Sequence, residues 1–523
     1  MASKMGIRLK SIFGKPRSFS RIWIICALIY AYFVGGYFSN TMTNSMATLS
    51  VALVEEQTLI IDDFAQHERD IARYNGHLYS GMPPGLSAFL LPIYIGLKAP
   101  LLLVPEKWLN KLDNTITGGL QEKHEFFHAS KKRSAILLLL VFGVFFVAIP
   151  MTLLLGIRFV DLCQRIFPTP LAQDSRFLIS IVFFLMLGTG IADFTATLFH
   201  TTVATTLVWI AYVDFIMNFG KTRTPRELLL LGLALGTVPT LDYPAVIYPG
   251  VLAPILLWAQ PRKERLRSLG WLFVGAAFPV GLAAIYHTLA FDRPWTTAYQ
   301  MRIVKLDRHF KDIEAASAGL TGVQAYLVRL WHILPDWERI KRIFIDPICN
   351  LPIFNPLLPL GLIAAAFQWF QAFRTQNHKM KFVWGGAFFI LFVNISYYAS
   401  IPITLNPAGG SYGARYTIYS VPFGLLALLP ALKWFSEKAG KTALTALLCT
   451  ISIPAWFYLF YGSPNRPWNT YWEFLTRIGP TNYTLFKAYE AGWIKNPFFI
   501  SYGCFFLLLA VCYGIWAIRF DTD

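Results

Sequence analysis

The chain has 523 residues, of which 55% are hydrophobic and only 14% charged, against about 25% charged in a typical soluble domain. Mean hydropathy is +0.48, and Lys and Arg outnumber Asp and Glu by 17. These values exclude a disordered chain, a fibrous protein and an ordinary soluble enzyme, and they make an all-α polytopic membrane protein the expectation. The basic excess reads as positive charge on cytoplasmic loops, with no nucleic acid as partner. Six cysteines, none in a C-x-x-C pair, read as small core hydrophobes.

In chain order, residues 1–21 hold Lys4, Arg8, Lys10, Lys15, Arg17 and Arg21 ahead of an apolar run over 22–38. This predicts a cytoplasmic N-terminus and a retained first span. Further apolar runs near 134–156, 177–192, 201–218, 228–244, 246–260, 269–290, 353–373, 382–400, 417–432, 442–460 and 498–518 bring the total to about twelve spans by the apolar-length criterion. The run 86–104 reads as interfacial or re-entrant. If it crossed, the basic loops near 221–226, 262–267, 374–381 and 433–441 would all turn outward, against the positive-inside rule. The expected organisation is a cytoplasmic segment 1–21, a membrane domain 22–460 with outward loops 39–133 and 291–352, an outward loop 461–497, and a last span with a cytoplasmic tail over 498–523. In a bacterial inner membrane the outward side is the periplasm.

The first outward loop is the most informative. Residues 44–55 have helical spacing, with Met46, Leu49, Leu53 and Val54 on an apolar side, as in a helix on the membrane surface. Asp62, Asp63, Asp70, Arg73, His77 and Tyr79 follow, and Met82-Pro83-Pro84-Gly85 then forces a turn. An aspartate at the lipid boundary can take the proton of an acceptor hydroxyl. An apolar neighbourhood raises its pKa, and Arg69 or Arg73 nearby lowers it. The alternative is a solvated loop whose charges do no chemistry.

The order of a first span, a helix, acids and then Tyr74-Asn75-Gly76-His77-Leu78-Tyr79-Ser80-Gly81-Met82-Pro83-Pro84-Gly85 resembles the GT-C glycosyltransferases. It is most similar to the family 39 type, which includes protein O-mannosyltransferases and the aminoarabinose transferase of lipid A. The Asp-Lys usual before the prolines is Gly81-Met82 here, and Asn44-Ser45 stands near the place of an Asp-Glu pair. The resemblance therefore assigns the base to Asp62, Asp63 or Asp70. A second stretch, Asn406 to Tyr416, resembles the Gly-Gly-x-x-x-Gly-x-Arg-Tyr segment of such enzymes. Arg415 can hold a phosphate with two hydrogen bonds, with Tyr416, Arg73 and Tyr79 beside the donor. The bland reading of Arg415 is an arginine reaching lipid headgroups.

Other ionisable residues stand at span ends. Asp193 and His200 flank an outward turn and, with His77, read as substrate contacts, the alternative for Asp193 and His200 being helix-end polar groups. Asp242 reads as a helix-end residue reaching water, and Asp214 as structural. The resemblance implies a GT-C fold and transfer of a monosaccharide from a polyprenyl-phosphate sugar to a glycolipid, glycan or protein acceptor, inverting at the anomeric carbon, among membrane lipids. No ligand constellation demands a metal, although a divalent cation could bridge carboxylate and phosphate. The alternatives are a flippase or transporter of a lipid-linked sugar, gated by Asp193, His200 and Asp242, and a surface-polysaccharide polymerase or ligase.

Overall fold

The computed structural model describes residues 17–34, 41–65, 70–105, 107–109, 132–167, 174–197, 200–301, 337–345, 355–400, 415–461, 476, 479–480 and 494–517. Its helices are α1 (Arg17–Tyr32), α2 (Thr41–Glu55), α3 (Gly85–Leu102), α4 (Arg133–Gly143), α5 (Ile149–Ile166), α6 (Ser175–Leu187), α7 (Gly190–Ala196), α8 (His200–Met217) and α9 (Pro225–Leu241). There follow α10 (Ile247–Trp258), α11 (Arg265–Phe291), α12 (Trp337–Ile345), α13 (Leu357–Arg374), α14 (His378–Ser400), α15 (Val421–Ala439), α16 (Lys441–Tyr461) and α17 (Pro497–Ala517). The chain is a helical membrane protein. Among the described residues seven helices are long and apolar enough to cross a bilayer, or eight if the bent pair α6–α7 counts as one.

Among the described residues the strands form one hairpin, of β1 (Ile71–Tyr74) and β2 (His77–Ser80). Asn75 (φ 49°) and Gly76 (φ 86°) form its two-residue turn. Two successive left-handed residues twist the way paired strands twist, and Asn-Gly adopts them at least cost. Two further differences from expectation lie nearby. The α2 helix is buried on every side over residues 43–52, with Asn44, Ser45, Thr48 and Ser50 enclosed, so it is not a helix lying on a surface with one face wet. Ser45, Thr48 and Ser50 spend their hydroxyls on backbone carbonyls, those of Asp70, Asn44 and Ser87, which helps a polar helix to be enclosed. The run 86–104 is one continuous helix, α3, despite Pro92 and Pro100, and by length and hydropathy alone it could span a membrane.

The bundle has two dissimilar ends. At one, Asp174 caps α6 by accepting the Phe177 N–H and receives both Lys433 at 2.9 Å and Lys441 at 3.0 Å, tying α6 to the junction of α15 and α16. Asp214 and Arg223 pair at the α8–α9 turn, as a structural role for Asp214 requires. At the other end lie the hairpin, the C-terminal turn of α9 and the α7–α8 junction.

Burial pushes the Asp174 carboxyl up, but Lys433, the Phe177 amide and Lys441 outweigh it and hold it at about 2, below its ordinary 3.8. A carboxyl depressed in the folded state stabilises the fold above about pH 4 and loses that contribution as pH falls toward 2. The difference corresponds to about 2 kcal/mol. Asp174→Asn should therefore lower the thermal unfolding midpoint in detergent at pH 7, and the gap to wild type should shrink by about half at pH 3 and close only as pH falls below about 2. Equal midpoints at pH 7 would contradict the clamp.

Candidate functional site

The hairpin is pinned at its open end. The Gly81 N–H donates to the Asp70 carbonyl at 2.9 Å, and the same carbonyl accepts from Ser45 Oγ at 2.8 Å. Ser45 Oγ also meets Ser80 Oγ at 3.0 Å, so α2 holds both strands. On the far side Tyr286 of α11 donates to the Ser80 carbonyl at 3.2 Å, and Tyr74 donates to Asp292 Oδ2 at 2.7 Å. The Phe291 ring stands edge-on to Tyr74 and Tyr79. Hydrogen bonding to Asp292 raises the Tyr74 pKa, and burial, with the charges of Asp62 and Asp292, raises that of Tyr79, so both phenols stay protonated donors.

Strand pairing sorts the predicted residues. The register Ala72↔Tyr79 and Tyr74↔His77 puts Tyr74, His77 and Tyr79 on one face, and Arg73 with Leu78 on the other. Asp62 enters from the preceding loop. Its Oδ1 accepts the Leu78 N–H at 2.6 Å, and its Oδ2 meets His77 Nδ1 at 2.8 Å. The Ile61 N–H donates to the Leu78 carbonyl at 2.8 Å, fixing that loop against β2. Asp62 thus has both oxygens engaged, and His77 is half exposed with its second ring nitrogen left over. Asp63 is exposed beside it. Asp70 stands at φ 60° and acts through its carbonyl in closing the hairpin. Arg73 is exposed on the face away from His77.

A second group lies at the C-terminal turn of α9, which sequence reasoning undervalued. Asp242 does not reach water: it is fully buried, and its Oδ2 accepts from Tyr419 at 3.0 Å. The Tyr419 ring stacks on Tyr248 with centroids 4.5 Å apart, and the Tyr248 hydroxyl is hydrogen-bonded to Asn394. The next residue, Tyr243, pairs with His287 Nε2 at 2.7 Å, and His287 Nδ1 faces the Pro294 carbonyl at 3.2 Å. Tyr248, Asn394 and Tyr419 look like ordinary span residues in sequence. The available signal was an aspartate inside an apolar run, which is costly unless partnered.

A third group lies where α6 and α7 meet at a 51° bend. Asp193 is 3% exposed, and its Oδ1 has no hydrogen-bond partner among the described residues. His200, Thr201 and Thr202 at the start of α8 are fully buried, and the hydroxyls of both threonines likewise lack a partner there. Thr195 and Thr152, 2.8 Å apart, fasten α7 to α5 just beyond a π-helical turn at Val144–Ala148. The 3-10 turn Arg415–Ser420 packs against α7, α8 and α14. Arg415 and Tyr416 begin that turn, while their side chains and residues 401–414 lie outside the described residues. Among the described residues no group of three or more His, Cys, Asp or Glu is placed to hold a metal.

Fold and site together define a helical membrane protein with a hairpin-borne Asp–His pair and buried acids gathered at one end of the bundle. No family model, curated protein or solved structure matches the chain.

A Cβ at Gly81 would lie 2.4 Å from the Asp70 carbonyl oxygen, whereas one at Gly76 meets nothing within 4 Å. Gly81→Ala should open the hairpin, at a cost of about 2 kcal/mol or more, and Gly76→Ala should cost about 1 kcal/mol through its positive φ alone. Limited proteolysis of the 56–84 segment reads the difference. Equal cleavage rates for the two variants would contradict the closure described.

Proposed function

We propose that the protein is an integral-membrane glycosyltransferase of the GT-C type. It moves a monosaccharide from a polyprenyl-phosphate donor to a lipid, glycan or protein acceptor on the outward face of a bacterial inner membrane. The observation that carries this reading is the Asp62–His77 pair. A carboxylate on Nδ1 fixes the ring and its tautomer, leaving Nε2 as the proton acceptor. Asp62 is held through both oxygens on β2, so we assign the base to His77, whose Nε2 is open to an acceptor, with Asp62 orienting it. The acceptor hydroxyl gives its proton to Nε2 as its oxygen attacks the anomeric carbon. The bond from that carbon to the phosphate oxygen breaks, the phosphate leaves with the electron pair, and configuration inverts. Arg415 steadies the leaving phosphate, with Tyr416, Tyr79, Asp193 and His200 around donor and sugar.

The topology adopted is twelve spans with a cytoplasmic N-terminus: α1, α4–α5, α6–α7, α8, α9, α10, α11, α13, α14, α15, α16 and α17. Each run expected to span overlaps one of these helices or joined pairs, although α1 and α10 are shorter than a full span. The α3 helix is taken as interfacial. It starts against Thr240 in the last turn of α9, and its Lys98 reaches Glu55, which also holds Lys132 at the first turn of α4. Both are outward ends in this orientation.

A second reading, a transporter of a lipid-linked sugar, draws on Asp193, a buried acid without a described partner at a bent helix pair. One assay separates the two. Purified protein is given polyprenyl-phosphate sugars and membrane lipid extract, and products are followed by mass spectrometry. Wild type should release polyprenyl phosphate and form a new glycoside. His77→Ala and Asp62→Asn should each slow transfer about 100-fold or more while leaving donor binding intact. Transfer undiminished in His77→Ala would refute the base assignment. Donor binding without any product, combined with liposome flux abolished by Asp193→Asn, would replace the transferase by the transporter.

A further inference from the structure

The far end of α3 holds an uneven charge cluster beside a bare apolar stripe. Glu55, largely buried, accepts from Lys132 Nζ at 3.0 Å and from the Tyr94 hydroxyl at 3.1 Å, and Lys98 Nζ stands 3.6 Å away. Lys98 also donates to the Val54 carbonyl at 3.3 Å. One carboxylate thus serves two ammonium groups, each still 39–45% exposed, and the neighbouring Glu56 and Arg133 add one charge of each sign, so one positive charge is left over. Burial pushes the Glu55 carboxyl up, but the hydrogen bonds of Lys132 and Tyr94 and the charges of Lys132 and Lys98 outweigh it, so the count holds at neutral pH. Lys132 precedes α4, whose N-terminus has no side-chain cap, and the positive end of the helix dipole adds to the cluster. Alongside, Ile95, Leu102 and Leu103 of α3 are 58%, 74% and 86% exposed, and Trp108 just beyond is exposed too.

We propose that this corner binds the phosphate of an anionic membrane lipid, with an acyl chain lying along the α3 stripe. Charge selects the occupant. A phosphodiester with no cation of its own neutralises the excess charge and accepts the free lysine N–H groups, whereas a zwitterionic headgroup brings a second cation to a positive corner. The aliphatic stripe and a tryptophan at its end suit an acyl chain and the interface above it. This inference rests on the membrane reading alone and stands apart from the transferase.

The test is native mass spectrometry of the full-length protein in detergent with equal phosphatidylglycerol and phosphatidylcholine. Wild type should retain one phosphatidylglycerol with about a ten-fold preference. The preference should fall to near unity in Lys98→Gln/Lys132→Gln. Because that pair leaves Glu55 uncompensated, Ile95→Glu supplies a second arm. It removes little packing and puts a carboxylate one turn from Lys98, and it should abolish the preference in a protein that remains folded by circular dichroism. Equal retention of both lipids by wild type, or an undiminished preference in Ile95→Glu, overturns the proposal. Displacement of the bound lipid by millimolar inorganic phosphate overturns the assignment to a lipid in favour of a free-phosphate site.

Discussion

The last turn of α9, Thr240 to Tyr243, is the constraint on which the hairpin end of the bundle depends. Within four residues it meets three other parts of the chain. The Thr240 carbonyl lies so close to Gly85 that a Cβ there would stand 2.5 Å away. Asp242 holds Tyr419, and Tyr243 holds His287. The start of α3, the turn that begins with Arg415 and the end of α11 are thereby fixed to one another. Breaking the Asp242–Tyr419 bond would strand a polar group in an apolar interior. The network is therefore a rigid frame, with little tendency to come apart and re-form.

The hairpin hangs from that frame. Its open end is closed by Asp70, Ser45, Ser80 and Gly81, and its far face by Asp292, Phe291 and Tyr286. An isolated two-stranded hairpin is marginal in water. These anchors are what allow His77 to be both exposed and oriented. Rigid support beneath an accessible imidazole is what the general-base role proposed for His77 would require, because its rotamer is settled in advance. Asp193 presents the opposite case, a carboxyl enclosed by apolar helices, and the two environments suit different tasks.

Much of this architecture was legible in the sequence, and the failures have physical causes. Apolar run lengths placed nearly every long helix, because a bilayer imposes length and hydropathy directly. The hairpin was missed although Asn75-Gly76 between short alternating strands is a strong turn signal. Attention to the motif as a ligand loop hid its backbone meaning. The serines and threonines of α2 gave no warning that they would be enclosed, because what satisfies them, such as the carbonyl of Ser87, is contributed by a distant part of the chain. Asp242 was misjudged for the same reason, since its partner Tyr419 lies 177 residues away. The grouping of Asp62 with His77 was within reach, as both stand in one loop. That Asp62 is hydrogen-bonded through both oxygens, one to His77 and one to the Leu78 amide, needed the structure.

The central claim is that chemistry-bearing groups sit at one end of the bundle and the basic loops at the other. Sidedness of labelling tests it most directly. In a cysteine-free background, single cysteines at His77 and at Lys263 would be challenged with a membrane-impermeant maleimide in sealed vesicles of known orientation. The account predicts that the His77 position reacts only from the outward side and the Lys263 position only after the vesicles are opened. Reaction of both positions from the same side would contradict it.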